Sequence, residues 1–240
     1  IKVDDIARPY HKAEIEAVAR AIENSGRDMV LSLSPGAAPI GEAEHLSKWA
    51  NMWRMTDDFW DNWELLKKMF DYCREWFPYV GENHFPDCDM LPLGRIRLCN
   101  HFQGENTKFT MDEQKLLMSL WAMFRSPLMF GGDMTRNDAF TLSLMQNREI
   151  IHINQNSCGG REVYRKGDEI VWAAYGEGDT IYLAHFNVGD KEIAVEFNPD
   201  FIGRKEKINA YEIWSGETQK GVPGIKSVIP PHGVKLYQLS

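Results

Sequence analysis

Five short apolar runs, each leading into a helical pattern, occupy residues 1 to 153, and this alternation constrains the fold more than any other feature of the chain. The first run is "IKVDDI" at residues 1 to 6. Residues 11 to 25 then place Ile15, Val18, Ala19 and Ile22 on one helical face, with Gly26 where a C-terminal cap belongs. "MVLSLS" (29 to 34) reads as a buried strand and "PGAAP" as the loop after it. "MWRMT" (52 to 56) precedes a helix in which Trp63, Leu66, Phe70, Cys73 and Phe77 keep a 3-4 spacing. "DMLPL" (89 to 93) leads by a long connection to a helix opened by the capping-box pair Thr110 and Glu113, with Leu116, Leu117, Leu120 and Phe124 inward. "PLMFGG" (127 to 132) and a helix over 137 to 147 complete the series.

Strands that alternate with helices make right-handed crossovers and a parallel sheet, either an open doubly wound sheet or a (β/α)8 barrel. No glycine-rich phosphate loop follows any of the five runs, which weighs against a nucleotide-binding sheet. Five units fall short of eight. As a barrel, the chain would carry strands 4 to 8, with "IKVDDI" as strand 4 and the earlier strands upstream or on a companion chain. After Gly159-Gly160 the pattern changes to period 2 in "EIVWAAYG", "TIYLAHFNV", "KEIAVEFN", "INAYEIWSG" and "HGVKLYQL". Segments of this kind predict a small antiparallel β-sandwich. The expected organisation is therefore an α/β fold, the second half of a (β/α)8 TIM barrel over residues 1–155, followed by a C-terminal antiparallel β-sandwich over 156–240.

Composition narrows the partners. The formal charge of −8 and the scattered Lys and Arg argue against nucleic acid. No apolar run is long enough to cross a membrane. Cys73, Cys88, Cys99 and Cys158 form no CxxC pair and keep no metal-ligand rhythm with the histidines, so neither a metal nor another cofactor is expected. Aromatic residues make up 12% of the chain, including eight Trp, which suits either a large core or a surface that stacks on sugar rings.

In a barrel, side chains at the C-terminal strand ends face the active site. Those positions are Lys2 and Asp4, Ser34, Arg54 and Asp58, Asp87 and Asp89, and Asp133. Lys2 and Asp4 are two residues apart on a strand and share a face, while Asp5 turns away. A lysine there favours a carboxylate, the form a nucleophile needs. Two carboxylates from different strands, one ionised and one able to carry a proton, are the machinery of glycoside hydrolysis. The same acids suit helix N-termini equally well: Asp57, Asp58 and Asp61 stand where they could simply open the helix that follows, and Lys2 could be a plain ion-pair partner.

Taken in order, "IKVDD", "WRMTDDFWDNW", "DCDMLPLG", "LWAMFRSPLMFGGD" and "IIHINQNS" resemble the second half of glycoside hydrolase family 27, the α-galactosidases and α-N-acetylgalactosaminidases. The family has a (β/α)8 barrel followed by a β-sandwich, so the resemblance implies the same fold here. It implies a retaining exo-glycosidase that releases terminal α-linked galactose by double displacement. Asp4 corresponds to the nucleophile in the K-x-D motif and Asp58 to the general acid/base in W-R-x-x-x-D. Lys2, Ser34, Arg54, Asp89 and Met90 would bind the carbohydrate substrate. In a retaining pair the two carboxyl groups stand roughly 5 to 5.5 Å apart. The family habit also implies a secreted or periplasmic protein.

The departures concern specificity. Cys88 replaces a proline in the family's D-P-D-M segment, and Leu33 and Ala50 stand where many relatives place a disulfide pair. Ser34 and Ala37 resemble the small residues that admit an N-acetyl group in the galactosaminidases. The acidic pair that reads the galactose 4- and 6-hydroxyls belongs to an early strand outside this chain, and that region also separates off the β-L-arabinopyranosidases. The alternatives are therefore those two activities, or a non-catalytic carbohydrate-binding protein on an incomplete barrel. In the sandwich, Trp172, Tyr211 and Trp214 are candidate glycan contacts or core.

Overall fold

The computed structural model describes residues 1–5, 7–34, 36–98, 104–203 and 207–240. Ile6, Pro35 and Cys99, named above, lie outside the described residues. The chain packs as two compact units, one of residues 1–92 and 126–131, the other of residues 93–125 and 132–240.

The first unit is built from β1 (Lys2–Val3), α1 (Lys12–Asn24), β2 (Ser32–Leu33), α2 (Ala43–Trp49), β3 (Met52–Arg54), α3 (Trp63–Trp76) and β4 (Phe85–Asp87). The four strands form one sheet in the order β1-β2-β3-β4, every pairing parallel. That is the βαβ pattern the alternation predicts. Lys2, Ser32, Met52 and Phe85 stand on one rung, and Val3, Leu33, Trp53 and Pro86 on the next. α1 ends as its sequence dictates: Gly26 adopts a φ of +63°, and its N–H donates to the Glu23 carbonyl. α3 is capped by Asn62, whose Oδ1 accepts the Leu65 N–H at 3.2 Å, so the acids before it are not the cap. Its buried stripe is Leu66, Met69, Phe70, Cys73 and Trp76. Full burial of such side chains contributes roughly 1.5–3 kcal/mol each.

Two strand placements differ from the sequence reading. Pairing begins at Phe85–Asp87 rather than 89–93, because the Phe85 N–H donates to the Asn51 carbonyl and the Asp87 carbonyl accepts the Met55 N–H. Pro86, between them, needs no donor toward β3. Asp89 then turns left-handed at φ 76°, which ends the extended run. Of "PLMFGG", only Phe130 joins the parallel ladder, through a single bridge to Leu91.

The second unit contains β5 (Arg95–Ile96), β6 (Glu105–Asn106), α4 (Met111–Phe124), α5 (Ala139–Met145), α6 (Arg148–Asn156) and eight antiparallel strands. These are β7 (Cys158–Lys166), β8 (Glu169–Tyr175), β9 (Ile181–Asn187), β10 (Ile193–Phe197), β11 (Ile208–Glu212), β12 (Thr218–Val222), β13 (Ile225–Ile229) and β14 (Val234–Leu239). β5 and β6 pair with each other. Six strands form one sheet in the order β12-β11-β14-β9-β8-β7, and β10 pairs with β13. The core between them holds Val171, Leu183, Phe197, Ile208, Ile225, Tyr237 and Leu239. α6, β7, β12 and β13 escaped the sequence reading.

α4 is buried on almost every side, and polar groups tie it to the sheet. The Thr110–Glu113 capping box is present as predicted. The other oxygen of Glu113 lies 2.7 Å from His232 Nδ1, and the Trp214 indole N–H donates to Ser119 Oγ at 2.9 Å. Trp172 is fully buried and meets Phe124 edge-on, so it is core, and Trp214 is a structural tie.

Candidate active site

The site grows from the register of the parallel sheet. One rung beyond Val3–Leu33–Trp53–Pro86, Arg54 pairs with Asp87, and the Ser34 N–H donates to the Val3 carbonyl. Asp4, Ser34, Arg54 and Asp87 thus follow one another on adjacent strands at the C-terminal edge, with Lys2 two residues before Asp4 on the same face.

Lys2 Nζ lies 3.5 Å from Asp4 Oδ1, and both side chains are more than half exposed. Such an ion pair adds little stability. Arg54 is the opposite case, 5% exposed and held between two acids. Its guanidinium donates to Asp89 Oδ1 at 2.6 Å and to Asp58 Oδ1 at 3.3 Å. Asp89 is fixed further by the Phe59 N–H, which donates to its second oxygen at 2.8 Å. Asp58 remains open to solvent. Asp57, beside it, is engaged elsewhere: Arg8 donates to both of its oxygens, at 2.6 and 3.3 Å. Asp58 is therefore the solvent-facing acid of the pair, gripped by Arg54 alone among the contacts resolved for it.

Asp87 was named among the strand-end acids without a role, and the structure places it at the base of the cluster. Its Oδ1 accepts the Asp89 N–H at 2.8 Å. Burial pushes its carboxyl up to about 6, with the Asp89 charge adding to the rise, while the Asp89 N–H, Arg54 and Lys2 pull the other way. Asp89 is raised as well, first by burial, against the Phe59 N–H and Arg54. The signal that would have found Asp87 is the i, i+2 spacing of the two acids in "DCD", which puts both near one strand end.

Ser34 is 3% exposed, and its hydroxyl has no partner among the described residues. Met90 lies against Gly131, where a β-carbon would come within 2.6 Å of the sulfur. Asp133 belongs to the second unit and closes its own turn, accepting the Thr135 N–H and hydroxyl at 2.9 and 2.6 Å, which holds its carboxyl below the usual range. Leu33 is buried, and Ala50 caps α2. Cys73 and Cys88 are buried with their sulfurs 3.7 Å apart, beyond disulfide bonding distance, and Cys158 is exposed. Among the described residues no cluster of His, Cys, Asp and Glu has the geometry to hold a metal ion.

Comparison with known proteins agrees with this architecture. The family model described as alpha galactosidase A matches residues 5–156, and that of the alpha galactosidase C-terminal beta sandwich domain matches residues 166–239. An α-galactosidase of Coffea arabica is 30% identical over 238 residues, covering 95% of this chain and 59% of that protein. An α-N-acetylgalactosaminidase of Gallus gallus is 29% identical over 168 residues, covering 64% of this chain and 38% of that protein. The solved structure of a family 27 β-L-arabinopyranosidase from Geobacillus stearothermophilus superposes with a TM-score of 0.95 at 44% identity, over 100% of this chain and 57% of that one. The chain spans about half the length of the relatives it matches.

Proposed function

The chain belongs to glycoside hydrolase family 27, and on that premise we propose that it carries the acid pair of a retaining exo-glycosidase. Asp4 attacks the anomeric carbon of a terminal pyranoside while Asp58 protonates the departing glycosidic oxygen. Asp58 then takes a proton from the water that releases the sugar from Asp4. The observation that carries this reading is the placement of the two acids. Both follow parallel strands of one sheet at the C-terminal edge, and Arg54 ties Asp58 to the half-buried Asp89. An arginine with fixed partners on both flanks is rigid, as a group that orients a sugar hydroxyl must be. Lys2, Asp89 and Met90 complete the sugar contacts, and a substrate hydroxyl would give the unpartnered Ser34 oxygen its hydrogen bond. The proposal includes strands beyond the four parallel ones described here, from upstream residues or a companion chain, since a closed barrel of this type has about eight.

For the substrate we favour a terminal sugar of galacto configuration. The curated relatives include α-galactosidases and an α-N-acetylgalactosaminidase, and the 44% identical solved structure is a β-L-arabinopyranosidase. These activities are chemically adjacent, because β-L-arabinopyranose has the ring stereochemistry of α-D-galactopyranose without the exocyclic carbon. The higher identity puts the arabinopyranoside first. Rates on p-nitrophenyl β-L-arabinopyranoside and p-nitrophenyl α-D-galactopyranoside, measured on the full-length protein with the product anomer followed by proton NMR, test both levels. Retention and a preference for the arabinoside are expected. A first-formed product of inverted configuration would sink the mechanism, and sugar binding without turnover of either substrate would favour a non-catalytic carbohydrate-binding protein.

A further inference from the structure

The sandwich holds a second polar feature that the proposed chemistry does not use. His185 stands on β9, 1% exposed, with both ring nitrogens lacking a hydrogen-bond partner among the described residues. Burial pushes its imidazole down to about 4, so the ring is neutral at pH 7 and offers one N–H donor and one bare acceptor. Glu169 Oε1 lies 3.9 Å from Nδ1, too far for a hydrogen bond. An orphaned donor and acceptor this deep cost several kcal/mol unless something fills the space between them.

That space exists. Val163, Tyr164, Glu169, Val171, His185, Glu196, Phe197 and Phe201 line a cavity of about 110 Å³. Its walls are mostly aliphatic and aromatic, with Glu169, His185 and Glu196 as the polar exceptions. The Tyr164 hydroxyl donates to Glu169 Oε2 at 3.3 Å, which holds that carboxylate at the cavity. Phe201 lines the cavity yet is 72% exposed, its ring 6.3 Å from those of both Tyr164 and Phe197. A phenyl ring left so exposed on the rim of a cavity with orphaned polar atoms is the arrangement of a binding site rather than of a core.

The chemistry of the lining narrows the occupant. An anion would meet Glu169 and Glu196. A cation would satisfy Glu169 but leave the imidazole N–H without an acceptor. Adjacent hydroxyl groups both donate and accept, so one can donate to Glu169 while its neighbour accepts from His185. The opposite face of the ligand must be C–H-rich to lie on Phe201. From the cavity, the orphaned imidazole and the exposed ring together, we infer that the β7–β10 edge of the sandwich is a binding site for a neutral pyranose residue, read by Glu169 and His185 and stacked on Phe201.

The test uses the full-length protein with ¹⁵N-labelled histidine, titrated with the methyl pyranosides of galactose, arabinose, glucose, mannose and N-acetylgalactosamine in turn. At least one of these sugars should shift the His185 ring resonances. Phe201→Ala, a change at an exposed position, should weaken that titration by about tenfold and leave hydrolysis unchanged. Glu169→Gln should weaken it as well. The inference is overturned if none of the five moves the His185 signals, if the midpoint is the same in Phe201→Ala, or if phenethylamine shifts them and the sugars do not.

Discussion

Replacing Asp87 by Asn tests whether the acid cluster is strained in the way its geometry implies. The carboxyl is 5% exposed, and burial raises it from 3.8 to about 6. At 1.36 kcal/mol per unit, that rise of about two units corresponds to about 3 kcal/mol of difference between the protonated and ionised folded states. The sign follows from which state holds the proton more tightly. Here it is the folded state, so the stability from a protonated Asp87 is complete below about pH 4 and is lost as the pH rises through about 6. Asn has the same shape, and its Oδ1 can still accept the Asp89 N–H, but it cannot ionise. Urea unfolding of both proteins at pH 4, 5, 6 and 7 isolates this group, because the other titrating residues cancel in the difference. The variant should gain on the natural protein by about 2–3 kcal/mol between pH 4 and pH 7. A difference that stays flat across that window refutes the reasoning, since it would mean that the Asp89 N–H, Arg54 and Lys2 fully offset the burial.

Arg54→Met removes the partner that Asp89 needs at 2.6 Å, and should destabilise the protein by about 3–5 kcal/mol, read from the urea midpoint. Asp58→Ala should lower kcat/KM on a glycoside with a poor leaving group by about 10²–10⁴-fold and much less on a p-nitrophenyl glycoside, because kcat/KM reports the first step, in which only the former needs the proton. Asp4→Ala should abolish turnover of both, and undiminished activity in it would remove Asp4 from its role. Glu113→Ala cuts two ties at once, to the Thr110 N–H and to His232, both at 2.7 Å. It should lower Tm further than Thr110→Ala, which loses only its cap of about 1 kcal/mol.

The parts of the fold legible in the sequence are those where local pattern and tertiary pairing agree. α1, α3 and α4 combine a 3-4 stripe with a cap, and each forms where the stripe lies. The strands were harder, because a parallel strand paired over two or three residues leaves no periodicity to read. "DMLPL" is the more apolar stretch, yet the ladder runs through "FPD", where backbone alternation lets Pro86 face away from β3. β12 and β13 were hidden for a related reason. Every residue of β12 is exposed or half-buried, so "TQKGV" carries too few apolar side chains to announce a strand, and β13 buries only its end residues Ile225 and Ile229.

The candidate site divides along the same line. Asp4 and Asp58 stand out in the sequence because strand-end position and family motif point to the same residues, and their roles are what the assays above test. Asp87 stands out less, because its importance lies in burial, and the spacing in "DCD" does not say that the acid paired with Arg54 is closed off from water. His185 makes the point more sharply. In "TIYLAHFNV" it takes its turn in a run whose every residue is buried, and as sequence it is one polar interruption of an apolar strand. Only the empty volume beside it, and the absence of a partner for either nitrogen among the described residues, separate a histidine that waits for a ligand from one that merely fills the core. Titration of that ring therefore carries information about the sandwich that assays on Asp4 and Asp58 do not, and the two sets of experiments can fail independently.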